Sequence, residues 1–345
     1  MEFLIYLAAY FFTIFFIFFP KIVTGKIFFI FWYSFSLCLS IIIRSSIGVG
    51  DSADIDGYII NMTTDGIIPY FLREPIFWFG IRFLHDIFGS GVVVFVILDS
   101  LLFILIYYGF YLCKKAFYSN ISKSNMNYLY FAALLFFPYV MGMHNIYRQI
   151  IATAIFIIVI GLVGNKKTFR GYITFLIAVL IHNPVAVFLP VLVITMKNNL
   201  YKYSSFIVLG LIILFMQVLN QIDTPLLARD GSIEIGKNIP YLYLISLYVI
   251  LGFVLLTELN TQDKVNSYFL SILIISTVFY TYSTFTFSSE QSQRFIFYIF
   301  GLLFPFFGFY LETRFKPVIL SRLIFFHVSL APLILIYNTT IDVSL

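Results

Sequence analysis

The chain has 345 residues, of which 61% are hydrophobic, 21% aromatic and only 11% charged, and its mean hydropathy is +0.99. Soluble domains carry roughly 25% charged residues, so this composition excludes a soluble fold and predicts a membrane protein. The net charge of +5 lies largely in short loops beside apolar segments, which suits lipid headgroups better than nucleic acid. Cys38 and Cys113 lie within apolar segments, and neither a disulfide nor a cysteine metal site is predicted.

Ten apolar segments are long enough to cross a membrane as α-helices. They lie near residues 3–19, 27–43, 92–113, 127–143, 147–164, 203–221, 240–257, 267–286, 294–311 and 319–337. Glu2 precedes the first segment and Lys21 follows it, so we expect a retained helix and not a signal peptide. The predicted fold is an all-α polytopic membrane protein, with residues 1–345 forming a single integral membrane domain.

A further apolar run at 171–196 is interrupted by His182 and Pro184. Because Arg170 and Lys197 flank the run, the distribution of basic loops requires the chain to enter and leave on the cytoplasmic side. Two half-helices of about 12 residues, each about 18 Å long, would form a re-entrant hairpin with His182 at its tip. Two short full crossings are the alternative, which would raise the number of crossings from about 10 to about 12.

Lysines and arginines fall in alternate loops, and this pattern predicts that both termini lie on the outer face. The predicted outer loops are residues 44–91, 143–147, 222–239 and 286–294. These loops contain 10 of the 16 acidic residues. The longest loop contains a predicted amphipathic helix at 74–88, which Pro75 begins and whose aromatic and aliphatic residues suit a membrane interface.

An acidic segment follows the second predicted span and contains Asp51, Asp54 and Asp56, close to Arg44. An EF-hand alignment places Thr63 where a bidentate glutamate is required, so calcium binding is not expected. Two interpretations stay open for the segment. A divalent ion could bridge two of the carboxylates against a diphosphate, or the segment could be a solvated acidic loop.

The amphipathic helix begins with Arg73 and Glu74, which could face a site or cap the helix. Arg82 and Asp86 are four residues apart on this helix, so we predict a surface ion pair between them. In the outer turn, His144 and Arg148 are also four apart, with Gln149 adjacent. An arginine at that depth needs a partner, an aqueous cavity or an anionic ligand, and a static ion pair is the alternative to a binding site.

The interrupted run makes His182 a candidate site residue, because irregular backbone at membrane depth is tolerated where it lines a water-filled cavity or is buried in protein. A hydrogen-bonded core histidine is the alternative. The last candidates are Arg294, with Tyr298 one turn deeper, and Arg229 in the preceding outer loop.

Arginine is concentrated on the predicted outer face. The arginines there are Arg44, Arg73, Arg82, Arg148, Arg229 and Arg294. The guanidinium group matches the geometry of phosphate oxygens, so a lipid-linked diphosphate is the ligand that these residues would fit best.

These polar residues and their spacing resemble the EpsG/Wzy-like polysaccharide polymerases. The matching features are the segment 54–58, Glu74 with Pro75, Arg148-Gln149 with Ala152, and a histidine at 182 after a long apolar stretch. The similarity of layout covers roughly residues 45–300, and the most specific motif is the segment 148–152.

The resemblance implies a glycosyltransferase in the bacterial inner membrane that joins repeat units of O-antigen or capsule at the periplasmic face. Its expected substrate is an oligosaccharide carried on undecaprenyl diphosphate, and a chain-length regulator and a flippase are further expected partners, with no cofactor. On this hypothesis Arg148 and Arg294 hold the diphosphate. The base that takes the proton of the acceptor hydroxyl is His182, Asp54 or Glu74.

Two other classes of function fit part of the pattern. A flippase or transporter of lipid-linked sugars would use the same arginines, although such proteins usually contain two related halves and this sequence shows no such repeat. An integral-membrane acyltransferase would need a histidine-centred site, which His182 could supply.

Overall fold

The computed structural model describes residues 2–45, 53–64, 66, 71–72, 74–118, 126–144, 146–194, 203, 207–208, 210–211, 214, 238–258 and 266–341. These residues form 14 α-helices and one 3₁₀ helix, with no strand among them. The α-helices are α1 (Glu2–Phe18), α2 (Gly25–Arg44), α3 (Ala53–Thr63), α4 (Pro75–Phe88), α5 (Gly91–Phe117), α6 (Asn127–Leu135), α7 (Phe137–His144), α8 (Tyr147–Gly164), α9 (Thr168–Ile181), α10 (Leu189–Ile194), α11 (Ile239–Glu258), α12 (Asn266–Thr286), α13 (Ser289–Arg314) and α14 (Val318–Ile341). The 3₁₀ helix is Asn183–Phe188.

Six of the described helices are long and apolar enough to cross a membrane. Their spanning segments are Gly25–Arg44, Gly91–Phe117, Tyr147–Gly164, Ile239–Thr257, Tyr268–Thr286 and Gln291–Arg314. Shorter apolar helices lie at Phe3–Phe18, Thr168–Ile181, Asn183–Leu192 and Val318–Leu330. The predicted all-α polytopic membrane fold is confirmed. The predicted span at 203–221 lies mostly outside the described residues, and the number of crossings stays a prediction.

The predicted single span at 127–143 is two helices, because the chain breaks between α6 and α7. Phe136 has an extended backbone there, with φ −74° and ψ 120°. Pro138 has no N–H to donate and its ring disfavours helical backbone before it, which favours a break here, although Pro305 lies inside the continuous helix α13. The sequence contained this signal, and the prediction of one continuous helix was wrong.

The predicted amphipathic helix is α4, and its ends follow from local chemistry. Pro75 occupies its first turn, where a missing N–H costs nothing, and Gly89 ends it in the left-handed conformation with φ 65°. Ser90 then begins α5, where its Oγ accepts from the Val93 N–H at 3.5 Å. Helix α4 buries Phe77, Trp78 and Ile81 and exposes large apolar residues on its other face, as an interfacial helix does.

The structure contains two compact units, residues 1–185 with 304–345, and residues 186–303. In the first unit, α8 packs against α5 and α9. A Cβ atom on Gly161 would lie only 2.6 Å from the Leu112 Cβ, so glycine is needed where α8 meets α5. Every side chain of α8 is buried except Arg148, which is 15% exposed.

In the second unit, α12 packs against both α10 and α11. The Phe188 ring lies 6.0 Å from Phe279 and 5.5 Å from Tyr298, measured between ring centroids. The Ser292 Oγ donates to the Ser283 carbonyl at 2.9 Å, which ties the start of α13 to the end of α12. These contacts give the unit a mixed aromatic and hydroxyl-bearing core.

A buried ion pair lies in the first unit between Glu312 and Arg322. The Arg322 Nε donates to the Glu312 Oε1 at 2.6 Å, its Nη1 donates to the Ile17 carbonyl at 3.3 Å, and its guanidinium lies 5.2 Å from the centre of the Tyr128 ring. Ile17 is near the end of α1, next to the start of α2. The pair is therefore separated from the far end of α2 by about the 30 Å length of that helix.

Candidate functional site

Glu74 brings together three elements of the first unit that are distant in the sequence. Its Oε2 accepts from the Arg148 Nη1 at the start of α8, and its Oε1 contacts the His182 Nδ1 after α9. Glu74 is the N-cap residue of α4, yet its side chain makes no capping hydrogen bond. Both carboxylate oxygens are directed to the other two side chains, which we call, with Glu74, the Glu74 cluster.

Helix packing and one helix end place these side chains together. Helix α9 packs against α4 and α8, so its last turn meets the first turns of both. Pro184 opposes helical backbone beyond α9, and His182 accordingly has an extended conformation with φ −155° and ψ 105°. The His182 N–H still donates to the Ala178 carbonyl at 2.9 Å, so the histidine is fixed at the helix end.

Arg148 is held by aromatic residues as well as by the carboxylate. Its Nε donates to the Tyr58 hydroxyl at 3.3 Å, and its guanidinium carbon lies 5.6 Å from the centre of the Tyr58 ring. The same carbon lies 5.1 Å from the centre of the Trp78 ring. The stacking favours the cation and restricts its position, so Arg148 presents a fixed positive charge.

The Glu74 cluster is largely desolvated but not sealed. The Glu74 side chain is 7% exposed, whereas Arg148 and His182 are 15% and 17% exposed. Burial alone would raise the pKa of Glu74. The hydrogen bonds and charges of His182 and Arg148 outweigh that effect and hold the pKa of Glu74 below its usual value.

An ionised Glu74 fixes the tautomer of His182. A carboxylate can only accept a hydrogen bond, so the His182 Nδ1 carries the proton that it donates to Glu74. When the imidazole of that tautomer is neutral, its Nε2 has the lone pair and can accept a proton from a substrate. The cluster therefore combines an oriented base with a fixed cation, the two groups that an acyl, phosphoryl or glycosyl transfer requires.

Arg44 was predicted to bind substrate on the outer face, but the structure places it in a buried ion pair. Its side chain is 1% exposed, and its Nε and Nη2 each donate to Asp99 at 2.8 Å. The physical reason is that Asp99 lies within the apolar helix α5, where an unpaired carboxylate would be costly. These contacts do not favour the predicted role of Arg44 as a ligand of the diphosphate.

The remaining predicted site residues are distributed over both units. Gln149 is buried on α8 in the first unit, whereas Arg294 is exposed and Tyr298 is buried on α13 in the second unit. His144 ends α7 and Asp54 lies on α3, but their side chains lie outside the described part of the structure. Arg73 and Arg229 also lie outside the described residues, as does the predicted outer loop 222–239 except for its last two residues.

The predicted ion pair between Arg82 and Asp86 is wrong. The Arg82 guanidinium donates to the carbonyls of Asn61, Thr64 and Gly66 and lies 4.4 Å from the centre of the Phe71 ring. Carbonyls at the end of α3 lack partners within the helix, and they bind the arginine more fully than a solvated carboxylate would. Arg82 therefore ties α3 and the segment after it to α4.

Three residues of the site were missed in the sequence. Tyr58 and Trp78 contact Arg148, and neither was predicted as a site residue, although Tyr58 ends the segment 54–58 on which the family resemblance rests. Asp99 had a signal, because it is a single acidic residue within an apolar span and must find a partner there. Within the described ranges, no group of three or more His, Cys, Asp or Glu side chains is arranged to hold a metal ion.

Comparisons with known proteins identify the family of the chain. A search of curated proteins and a search of solved structures give no match. A protein-family model, that of the EpsG family, matches residues 29–340. That match covers both units and every described residue of the Glu74 cluster, and the chain belongs to the EpsG family.

Proposed function

We propose that this protein is a polysaccharide polymerase that joins oligosaccharide repeat units carried on undecaprenyl diphosphate, at the periplasmic face of the inner membrane, to make O-antigen or capsule. Membership of the EpsG family indicates a polysaccharide-polymerase-like, glycosyltransferase-like membrane protein. The observation that carries the proposal is that one carboxylate, Glu74, contacts both Arg148 and His182.

Arg148 is the proposed ligand of the diphosphate. It is the one side chain of α8 that is not buried, and the aromatic rings of Tyr58 and Trp78 fix its guanidinium. The diphosphate gains negative charge as its bond to the sugar breaks, and a cation held in place stabilises that charge without reorganisation. Arg294, Arg73 and Arg229 are proposed as further contacts of the lipid-linked substrate.

His182 is the proposed general base, and Glu74 is the residue that orients it. The acceptor hydroxyl attacks the anomeric carbon of the donor, its proton passes to the His182 Nε2, and the diphosphate leaves with the electrons of the broken C–O bond. Glu74 is better suited to orienting than to accepting the proton, because its pKa is lowered and both its oxygens already have donors. Asp54 remains the second candidate for the base.

The oriented histidine also separates this proposal from the alternatives. A flippase for lipid-linked sugars would need the cation but no general base. An acyltransferase would need the histidine, but it would not need an arginine held for a diphosphate. Arg148 and His182 share one carboxylate, and a glycosyl transfer from a lipid diphosphate uses both.

A cell-based test is the polysaccharide chain length produced by the Arg148→Ala variant. We expect short or absent polymer on a lipopolysaccharide or capsule gel, because the charge on the leaving diphosphate loses its partner. Arg170→Ala is the matched control, since Arg170 is exposed in the first turn of α9, at the opposite end from His182. Normal chain length in Arg148→Ala at normal expression would overturn the proposal.

A further inference from the structure

We propose that the buried Arg44–Asp99 pair is a positioning device that sets the location of Arg148, and that Arg44 itself does not contact substrate. The inference rests on the proposed function, because it assumes that Arg148 binds the diphosphate. The contacts from which it is argued are different ones, those of Asp99. It involves Ser40, Arg44, Asp99 and Tyr147, which we call the Asp99 cluster.

The carboxylate of Asp99 is saturated with hydrogen bonds in the interior of the first unit. The Arg44 Nε and the Ser40 Oγ donate to its Oδ2 at 2.8 and 2.6 Å. The Arg44 Nη2 and the Tyr147 hydroxyl donate to its Oδ1 at 2.8 and 2.7 Å. Ser40, Asp99 and Tyr147 are fully buried, so the cluster has no contact with solvent through which it could bind a ligand.

The Asp99 cluster binds both the end of α7 and the start of α8. On one side, the Arg44 Nη2 also donates to the Met143 carbonyl at 2.8 Å, which satisfies one of the carbonyls at the end of α7 that lack helical partners. On the other side, Tyr147 is the first residue of α8 and donates to Asp99. Arg148 is the next residue, so the position of its backbone is set by these two attachments.

A chain of ring contacts connects the same cluster to the surroundings of Arg148. The Phe95 ring lies under the Arg44 guanidinium, whose carbon is 5.1 Å from the ring centre, and its centroid lies 5.3 Å from that of Tyr147. Phe95 also contacts Tyr58, at 6.2 Å between ring centroids. Tyr58 accepts a hydrogen bond from the Arg148 Nε. The Asp99 cluster is therefore connected to Arg148 in two ways, through the backbone at Tyr147 and through the side chain of Tyr58.

Stability alone does not account for a charged pair at this place. A buried ion pair gains little over well-packed apolar residues, because desolvation offsets the attraction of the charges. Its hydrogen bonds are directional, however, and fix the register of the groups that they join. Such directional bonds suit the start of α8, because Arg148 must hold its cation in place to within a few tenths of an ångström.

Trp78 provides a direct probe of this positioning, because its ring lies against the Arg148 guanidinium. The chain has two tryptophans, Trp32 and Trp78, so Trp32→Phe leaves Trp78 as a single fluorescent reporter. The experiment measures Trp78 emission of the purified, ligand-free protein in this background, followed by titration with inorganic pyrophosphate. Arg148→Ala defines the emission expected when the cation is absent from the ring.

Two variants remove contacts of the Asp99 cluster. Asp99→Asn removes the charge, and Tyr147→Phe removes only one hydroxyl while keeping the ring, so at least the second is expected to fold. We expect both to change the ligand-free emission in the direction of Arg148→Ala and to weaken pyrophosphate binding, by about tenfold for Asp99→Asn. Glu312→Gln is the matched control, since it alters a buried ion pair of the same kind near the opposite end of α2.

The two readouts separate this inference from the proposed function. Parental emission in both Asp99→Asn and Tyr147→Phe, or an equal change in Glu312→Gln, would overturn the positioning role. Pyrophosphate binding that is unaffected by Arg148→Ala would instead overturn the assignment of the diphosphate to Arg148, and the ligand-free emission would still decide the positioning role.

Discussion

A single carboxylate organises the candidate site at the level of residues. Glu74 is at the start of the amphipathic helix α4, where a glutamate would ordinarily cap the helix or face water. Its oxygens instead contact Arg148 and His182, and these contacts lower the pKa of Glu74 in spite of its burial. The ionised form of Glu74 is thus the form that both partners require.

The lowered pKa of Glu74 predicts a specific loss of stability in acid. The stabilisation from a carboxylate with a depressed folded-state pKa is complete above its usual value of 4.5 and is lost as the pH falls through the lower, folded-state value. The measurement is the thermal midpoint of unfolding in detergent, from about pH 7 to about pH 3. At neutral pH the parent protein should have a higher midpoint than Glu74→Gln. The difference between the two midpoints should become smaller in acid.

Asp86→Asn is the control for this measurement, because Asp86 is an exposed carboxylate on the same helix. It should leave the midpoint unchanged near neutral pH. A gap between the parent and Glu74→Gln that stays constant down to about pH 3 would contradict the account of Glu74 as a buried, ionised partner of a cation.

The elements of the fold were predictable where a local signal determines them. Pro75 and Gly89 bound α4, and Pro184 ends α9 at the break that the sequence predicted near His182. The break at Phe136 had the same kind of signal in Pro138 and was missed. The direction of the Arg82 side chain could not be predicted, because its partners are backbone carbonyls beyond its own helix.

The contacts of Arg82 predict that it fixes α3 against α4. Arg82→Ala removes the donors to the carbonyls of Asn61, Thr64 and Gly66, so hydrogen exchange of the end of α3 should become faster. A hydrogen bond to a charged group contributes a net stability of about 1.5–3 kcal/mol when it is buried, and these partly exposed bonds contribute less. Lys115→Ala, at the far end of α5, serves as the control, and unchanged exchange in Arg82→Ala would contradict this role.

On the scale of the whole molecule, composition and hydropathy were enough to predict a polytopic all-α membrane protein. They could not predict that Glu74 meets a residue 74 positions later and another 108 positions later. Such contacts depend on how α4, α8 and α9 pack, and the sequence indicated only which residue types were available. Packing also decides the place of Arg44, which was predicted to lie on the outer face but forms a buried ion pair with Asp99.

The most direct test of the central claim is elongation by the protein reconstituted in liposomes with undecaprenyl-diphosphate-linked repeat units. We predict a ladder of polymer from the parent protein and from Glu312→Gln, whose buried ion pair is separate from the Glu74 cluster. His182→Ala should slow repeat-unit transfer by about 10²–10⁴-fold, the usual contribution of a general base. Elongation by His182→Ala at the parental rate would contradict the account.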